Sequence, residues 1–554
     1  MIETHIARPG PAAGATAKPR WGMVVDLNRC VGCQTCTIAC KQANDTTPDI
    51  QWRRVIDVEQ GKFPDVERFF VVTGCQHCAE PPCVPVCPTG ATRQRDDGLV
   101  TIDYDMCIGC AYCVVSCPYQ ARTIEHDPQG YYGQQTRQEK ATAHPERVGV
   151  AQKCTFCQPR IDAGLAKGLM PGVDLEATPA CAASCISQAI RFGDFNNPES
   201  IVSQLVREQP SLQLNEELGT NPQIRYLYTT PAVPGRGAAA ESDPDQQERL
   251  ADPANPLVGA VQKFWDWRAA MNWIFGGAGT GLAIFTGLLA AAGMLEPLAG
   301  RALLALAAGL VATGLFFVFL KIGRKLRFWR AVARWQTSWM TRELYVALLF
   351  FPAVLLTLLA PQRGLFLLVA VLAAAFLACQ AKILHRARGI PVWRAPLIPG
   401  IIVASGILEG WGALMAALAV AGIDAPFALQ AAGLVAMAAS AGLWRAYVGT
   451  ARANGIPPLA RAVLDKAAWP VHLVGHVAPA LLLALGWAVP SLQQGALLLA
   501  GVAAIAGGAL WKFVVIVRAS FTQGFSLKQV PQRGSGERAA PSRLAGDSRR
   551  PLST

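Results

Sequence analysis

The chain has 554 residues, 52% of them hydrophobic, and a formal net charge of +12. Its length, its 17 cysteines and its long apolar stretches exclude a small disulfide-stapled secreted domain. The surplus Lys and Arg lies mainly between apolar segments, where it sets membrane topology, so nucleic-acid binding is excluded as the meaning of the charge.

Residues 1–20 hold no apolar stretch, no A-x-A site and no twin-arginine pair. They read as a disordered start with no export signal. Sixteen of the 17 cysteines then fall in four groups. Cys30, Cys33, Cys36 and Cys40 are spaced C-x2-C-x2-C-x3-C, and Cys107, Cys110, Cys113 and Cys117 repeat that spacing. Cys75, Cys78, Cys83 and Cys87 read C-x2-C-x4-C-x3-C, and the pair Cys154 and Cys157 is completed by Cys181 and Cys185. Zinc sites use paired C-x2-C or mixed Cys/His sets. Triple runs ending in Cys-Pro, as at Cys87-Pro88 and Cys117-Pro118, point to iron–sulfur clusters.

Sixteen thiolates supply four [4Fe–4S] clusters with four ligands each. Where two clusters share a ferredoxin-like unit, the last cysteine of each run ligates the other cluster. On that rule one set is Cys75, Cys78, Cys83 and Cys117, and a second is Cys87, Cys107, Cys110 and Cys113. Groups one and four exchange likewise, giving Cys30, Cys33, Cys36 and Cys185, and Cys40, Cys154, Cys157 and Cys181. The reading is two ferredoxin-like units over residues 21–230, one inserted in the other.

The strings CVGCQTCTIACKQAN, GCQHCAEPPCVPVCPTGAT, CIGCAYCVVSCPYQAR, KCTFCQPR and PACAASCISQAIRFGD resemble the four-cluster iron–sulfur subunit of the dimethyl sulfoxide reductase family of molybdoenzymes. Some relatives replace a cysteine of the third group and hold a three-iron cluster; Cys110 predicts the four-iron form here. The resemblance implies that the Cys30 set lies toward a molybdopterin-containing catalytic subunit and the Cys87 set toward the membrane.

A Pro/Gly/Ala/Asp/Glu-rich linker is expected over 231–262, and an amphipathic piece, Val261 to Arg268, ahead of the membrane. Eight apolar segments follow within 263–520, near 271–294, 302–321, 343–360, 364–384, 397–422, 426–447, 468–489 and 495–517. Each approaches the ~20 residues that cross a bilayer. A polar tail, 521–554, reads as disordered. The loops after spans two, four and six hold the Lys and Arg residues, whereas the opposite loops hold only Arg301 and Arg363. The positive-inside rule then places both termini and the cluster domain in the cytoplasm of a bacterial-type inner membrane. The stretch 321–344 and FTQGFSLKQVPQRG resemble the eight-span anchor of the same family. Lys321 stands where the resemblance leads one to expect a quinol-associated His.

Ionisable residues inside spans are expensive and usually functional. Candidate quinone-binding residues are Lys321, Arg324, Trp335, Trp339, Arg342, Glu409, Arg445, His472 and His476, with Lys512 nearby in the last span. His472 and His476 share one helix face, which equally suits interhelical hydrogen bonding and does not suit bis-His haem; no haem is expected. Glu409 can equally pair with a neighbouring helix, and Cys379 reads as a packing residue.

The predicted fold is an α+β ferredoxin-like double unit with four iron–sulfur clusters, followed by an all-α eight-helix transmembrane bundle. No motif for substrate chemistry appears, so the chain reads as a non-catalytic redox subunit whose anchor reduces quinone or oxidises quinol (menaquinone or ubiquinone). Its expected partners are the catalytic subunit, the quinone and lipid. A cytoplasmic cluster domain resembles the sulfite-oxidising complexes of the family. The alternative is a quinol-fed reductase of an S-oxide, N-oxide or sulfur compound.

Overall fold

The computed structural model describes residues 18–62, 65–228 and 251–525. The expected disordered start, most of the linker and most of the tail lie outside the described residues.

The cluster half is built on a four-stranded sheet in the order Ile190–Asp194, Trp21–Asp26, Ile224–Leu227, Ser211–Leu212. Trp21–Asp26 runs parallel to Ile224–Leu227 and antiparallel to Ile190–Asp194, so strands from both ends of the domain close on one another. The middle of the chain is thereby inserted inside the outer unit. It contains the long hairpin of Arg53–Lys62 with Asp65–Gly74 and two short hairpins, Thr92–Gln94 with Val100–Ile102 and Thr123–Ile124 with Ala151–Gln152. Met23, Val25, Phe69, Val71, Phe156, Phe192 and Tyr226 bury one face of this scaffold around the cysteines.

The repeated C-x2-C-x2-C runs fold identically at the backbone. Gly32 and Gly109 take φ of 70° and 71°, and Gln34 and Ala111, just after the second cysteine, take 62° and 63°. A left-handed residue turns the chain so that successive thiols face one centre; only glycine does so without a Cβ penalty. Short helices then start, Thr35–Asn44 carrying Cys36 and Cys40 and Tyr112–Val115 carrying Cys113.

Among the described residues eight helices are long and apolar enough to cross a bilayer: Trp267–Ala291, Pro297–Lys321, Trp339–Leu359, Arg363–Arg386, Ile398–Val420, Phe427–Gly449, Pro458–Ala488 and Pro490–Arg518. The chain is a multi-pass membrane protein of α+β cluster domain and all-helical bundle. The first and fifth spans form the bundle centre, where Gly281 meets the backbone of Gly406 and Gly410. Contact between small residues drives helix association where water is absent. The seventh and eighth spans each include a π-helical turn, Leu473–Val477 and Val514–Arg518.

The amphipathic piece before the first span differs from expectation. It forms no interfacial helix. Trp265 is 2% exposed, packed against Tyr112, Trp273 and Trp393, and Asp266 caps the first span through Arg268 N–H at 3.0 Å. The described ends of the linker and tail are also pinned together. Val261 bridges Phe521, Thr522 N–H donates to Ala260 O at 2.9 Å, and Phe525 N–H donates to Leu257 O at 2.9 Å.

The Arg-rich loops dock the cluster domain onto the bundle. Arg324 Nε donates to Val148 O at 2.8 Å, Arg327 to Tyr104 O at 2.7 Å, and Arg330 to Asp105 O. Gly323, Gly109 and Gly149 meet backbone to backbone, and Arg324 N–H donates to Ile108 O at 3.0 Å. A Cβ on Gly323 would run into Gly149 O, which cannot rotate away as a side chain would. Gly323→Ala is expected to weaken this docking by about 1–3 kcal/mol, as overpacking does. Faster tryptic cleavage at Arg147 and Arg324 is the readout; cleavage at the native rate would show that the contact is dispensable.

Candidate functional site

Two of the expected cysteine sets line two distinct pockets. One is lined by Cys75, Cys78, Cys83 and Cys117 with Pro82, Pro118 and Tyr119. The other is lined by Cys87, Cys107, Cys110 and Cys113 with Pro88, Thr89 and Ala151. In the outer unit Cys36 lies in the field of Cys181, Cys30 and Cys185, and Cys40 in that of Cys154, Cys181 and Cys157. Asn44 Nδ2 points at Cys40 Sγ, 3.8 Å away, and Cys157 Sγ, 3.7 Å away.

Among the described residues no disulfide joins the cysteines, and no three His, Cys, Asp or Glu side chains converge on a single-ion position. The thiols stand apart around voids, as a four-iron core requires. Burial pushes the Cys36 thiol up to about 11 and the Cys110 thiol up to about 12, so a cationic centre must replace the protons for these sulfurs to carry charge. Arg53 meets the same need: it is fully buried, its Nε and one terminal nitrogen hydrogen-bond to nothing, and it faces Cys181 Sγ at 3.7 Å. The residues fit iron–sulfur clusters, which when bound supply one-electron chemistry. The exposed end of the domain carries Cys33 with Val31, Ile38 and Ile186.

At the opposite end, Cys110 opens onto a narrow pocket between domain and bundle. Lys321 and Trp265 both donate to Cys110 O, each at 3.2 Å, and the Lys321 ammonium sits 4.9 Å above the Trp265 ring. Trp273 Nε1 donates to Gln380 O at 3.1 Å, and Gln380 Nε2 to Asn272 O at 3.1 Å. Glu343, 5% exposed, lines the same cavity beside the Asn272 and Gln380 amides.

Of the sequence-predicted quinone residues, the structure brings only Lys321 to this cavity. Arg324 is spent on docking. Trp335 is exposed; Arg342 stacks 4.3 Å over Trp339 and binds the Trp335 and Gln336 carbonyls, closing the turn before the third span. Glu409 pairs with Lys512 at 2.6 Å, both fully buried, and Lys512 also donates to Trp273 O at 2.7 Å. Arg445, His472 and His476 gather elsewhere: His476 Nε2 is 3.0 Å from Ser440 Oγ, and the two imidazoles are 5.4 Å apart. Sequence reasoning missed Glu343, Asn272, Gln380, Trp265 and Trp273. Glu343 had a signal, a carboxylate one turn inside an apolar span; the others show only once the helices are rotated against each other.

Cysteine cradles running from an exposed rim to a membrane cavity define a membrane-anchored iron–sulfur electron-transfer protein. Residues 66–131 match the 4Fe-4S dicluster domain family. The chain is 40% identical over 224 residues to a selenate reductase subunit of Mesobacillus selenatarsenatis, covering 38% of this chain and 72% of that protein. It is 38% identical over 229 residues to the iron–sulfur cluster-binding subunit of menaquinone reductase of Nitratidesulfovibrio vulgaris, covering 38% and 89%. With a sulfite dehydrogenase subunit of Allochromatium vinosum it shares 38% identity over 248 residues, covering 42% and 90%. The chain belongs to the family of iron–sulfur electron-transfer subunits of molybdoenzymes.

Proposed function

We propose that this chain carries electrons between a molybdopterin-containing catalytic subunit and the membrane quinone pool, using four [4Fe–4S] clusters held by the four cysteine sets. The single observation that carries the reading is the cavity in which Cys110 and Glu343 face each other, with Lys321 bound to the Cys110 carbonyl. A quinone there lies beside a cluster ligand, and its reduction consumes two electrons and two protons. Lys321 is placed to bind one carbonyl oxygen and give it a proton and Glu343 to hand a proton to the other, each refilled from water, with Asn272 and Gln380 orienting the carboxyl. The exposed rim of Val31, Cys33, Ile38 and Ile186 is the docking edge for the catalytic subunit.

The cluster domain lies on the side of the Arg-rich loops, which supports a cytoplasmic location under the positive-inside rule. On that footing the favoured reaction is sulfite oxidation with quinone reduction. The second reading, a quinol-oxidising subunit of an S-oxide, N-oxide or sulfur-compound reductase, is favoured by relatives named as reductases of selenate, dimethyl sulfoxide and tetrathionate.

Inside-out and right-side-out vesicles from the native host, treated anaerobically with sulfite, separate the two. Cluster reduction seen by electron paramagnetic resonance only in inside-out vesicles, and lost on deleting this protein, is the expected result. No reduction by sulfite, with oxidation of quinol-reduced clusters by an S-oxide, would reverse the direction.

A further inference from the structure

Three cations are buried in the cluster half without a carboxylate. Arg53, Arg122 and Lys153 are 0%, 3% and 1% exposed. Among the described residues none of them is ion-paired with Asp or Glu. A buried charge with no counter-charge is strongly unfavourable, so something else must offset it.

What faces these cations is the cysteine loops, through their sulfurs or their carbonyls. Arg53 faces Cys181 Sγ at 3.7 Å and Met23 Sδ at 3.1 Å, with Cys154, Cys40 and Cys36 next in its field. Lys153 donates to Cys154 O at 2.8 Å and to Val100 O, and its field reaches Cys75, the neighbouring cation Arg122, Cys154 and Cys83. Arg122 donates to Cys83 Sγ at 3.1 Å and Thr92 Oγ1 at 3.1 Å, with Cys113, Cys75 and Cys117 around it.

Their order follows the order of the cradles. Arg53 contacts the Cys40 set at Cys181 Sγ, with the Cys30 set next in its field through Cys36. Lys153 binds Cys154 O of the Cys40 set and Val100 O in the wall of the Cys75 pocket. Arg122 lines the Cys75 pocket, where it donates to Cys83 Sγ, and also donates to Thr92 Oγ1, which lines the Cys87 pocket. Each junction between successive cradles holds one cation.

We propose that Arg53, Lys153 and Arg122 are positioning charges that set the reduction potentials of the clusters in overlapping pairs, each cation raising both neighbours of its own junction. The proposal rests on the four-cluster reading above. A [4Fe–4S] core with four thiolates is anionic and becomes more so on taking an electron. A nearby positive charge therefore stabilises the reduced form, the more so in a medium of low dielectric constant. Because one cation serves two neighbours, it moves both in the same direction and leaves the step between them largely unchanged.

The test is a redox titration followed by electron paramagnetic resonance on the purified full-length protein, with iron and sulfide counted in every sample. Arg53→Gln is expected to lower the potentials of the Cys30 and Cys40 clusters only, Arg122→Gln those of the Cys75 and Cys87 clusters only, and Lys153→Gln one from each pair, those of the Cys40 and Cys75 sets. Arg53→Lys, Arg122→Lys and Lys153→Arg, which keep the charge, are expected to leave all four in place. Neutral variants that shift nothing or shift all four together overturn the proposal, as do charge-keeping variants that shift like the neutral ones. If one neutral variant loses its clusters, the remaining two must still show their assigned pairs; loss of iron from all three assigns the cations a purely structural role and overturns it too. A native protein with other than four transitions fails the underlying reading instead, and that outcome is told apart by the iron count.

Discussion

Glu343→Gln is expected to lower quinone turnover by about 10²–10⁴-fold, the usual worth of a positioned proton donor or acceptor, while the iron content stays native. The substitution keeps the shape of the side chain beside Asn272 and Gln380 and removes only its capacity to exchange a proton. Lys321→Met is expected to act in the same direction, since it removes the cation at the Cys110 end of the cavity. The measurement is steady-state turnover with a water-soluble quinone analogue, paired with a single-turnover experiment in which the clusters are reduced from the catalytic side. A slowed turnover with clusters that still fill assigns the defect to the cavity. His476→Gln disturbs the contacts with Ser440 and His472, away from this cavity, and serves as the comparison. If it abolishes turnover while Glu343→Gln stays within a few-fold of native, the quinone site belongs to the His472–His476 face instead.

Lys512→Met is expected to destabilise the bundle by about 3–5 kcal/mol, because it leaves the Glu409 carboxylate buried with no cation. Glu409→Leu should cost a similar amount by stranding Lys512. The pair lies where the fifth and eighth spans press on the first. A Cβ on Gly277 would strike Lys512 Nζ, and one on Gly508 would strike Glu409 Oε1, so neither charge has room to turn toward another partner. The double variant Glu409→Leu/Lys512→Met is expected to recover most of the loss, since apolar residues can replace a buried pair at little net cost. Thermal unfolding of the detergent-solubilised protein, read as loss of helical signal, checks this. Single variants within about 1 kcal/mol of native would show that the bundle admits water or relaxes around the stranded charge.

Glu409 and His476 show why polar residues in apolar helices are hard to read in advance. Each could serve a ligand or a neighbour, and the primary sequence treats both uses alike. Glu409 meets Lys512, 103 residues away, and His476 meets Ser440, 36 residues away. The Arg-rich stretch is easier to read. Arg324, Arg327 and Arg330 sit in a loop whose charge sets topology, and they spend their donors on backbone carbonyls of the cluster domain. The docking loops needed cations both for topology and to satisfy carbonyls at loop ends, and one set of residues serves both.

By itself the sequence determined what is local. Cysteine spacing within a run of eleven residues dictates a cluster loop, and the repeat of that run at Cys30 and Cys107 brings the same left-handed turns with it. Apolar length dictates a span, and all eight were legible because a bilayer demands ~20 residues whatever the neighbours are. The tertiary structure alone decided what depends on helix rotation and on contacts far apart in the chain. Tyr112 reaches Ile383 across 271 residues, and Trp265 reaches Cys110 across 155. The cavity beside Cys110 is assembled from the domain, the segment before the first span and four of the spans, and Glu343 faces it only because the third span is turned inward there. Periodicity says which residues share a face of one helix; only packing against the others says which face looks into the cavity.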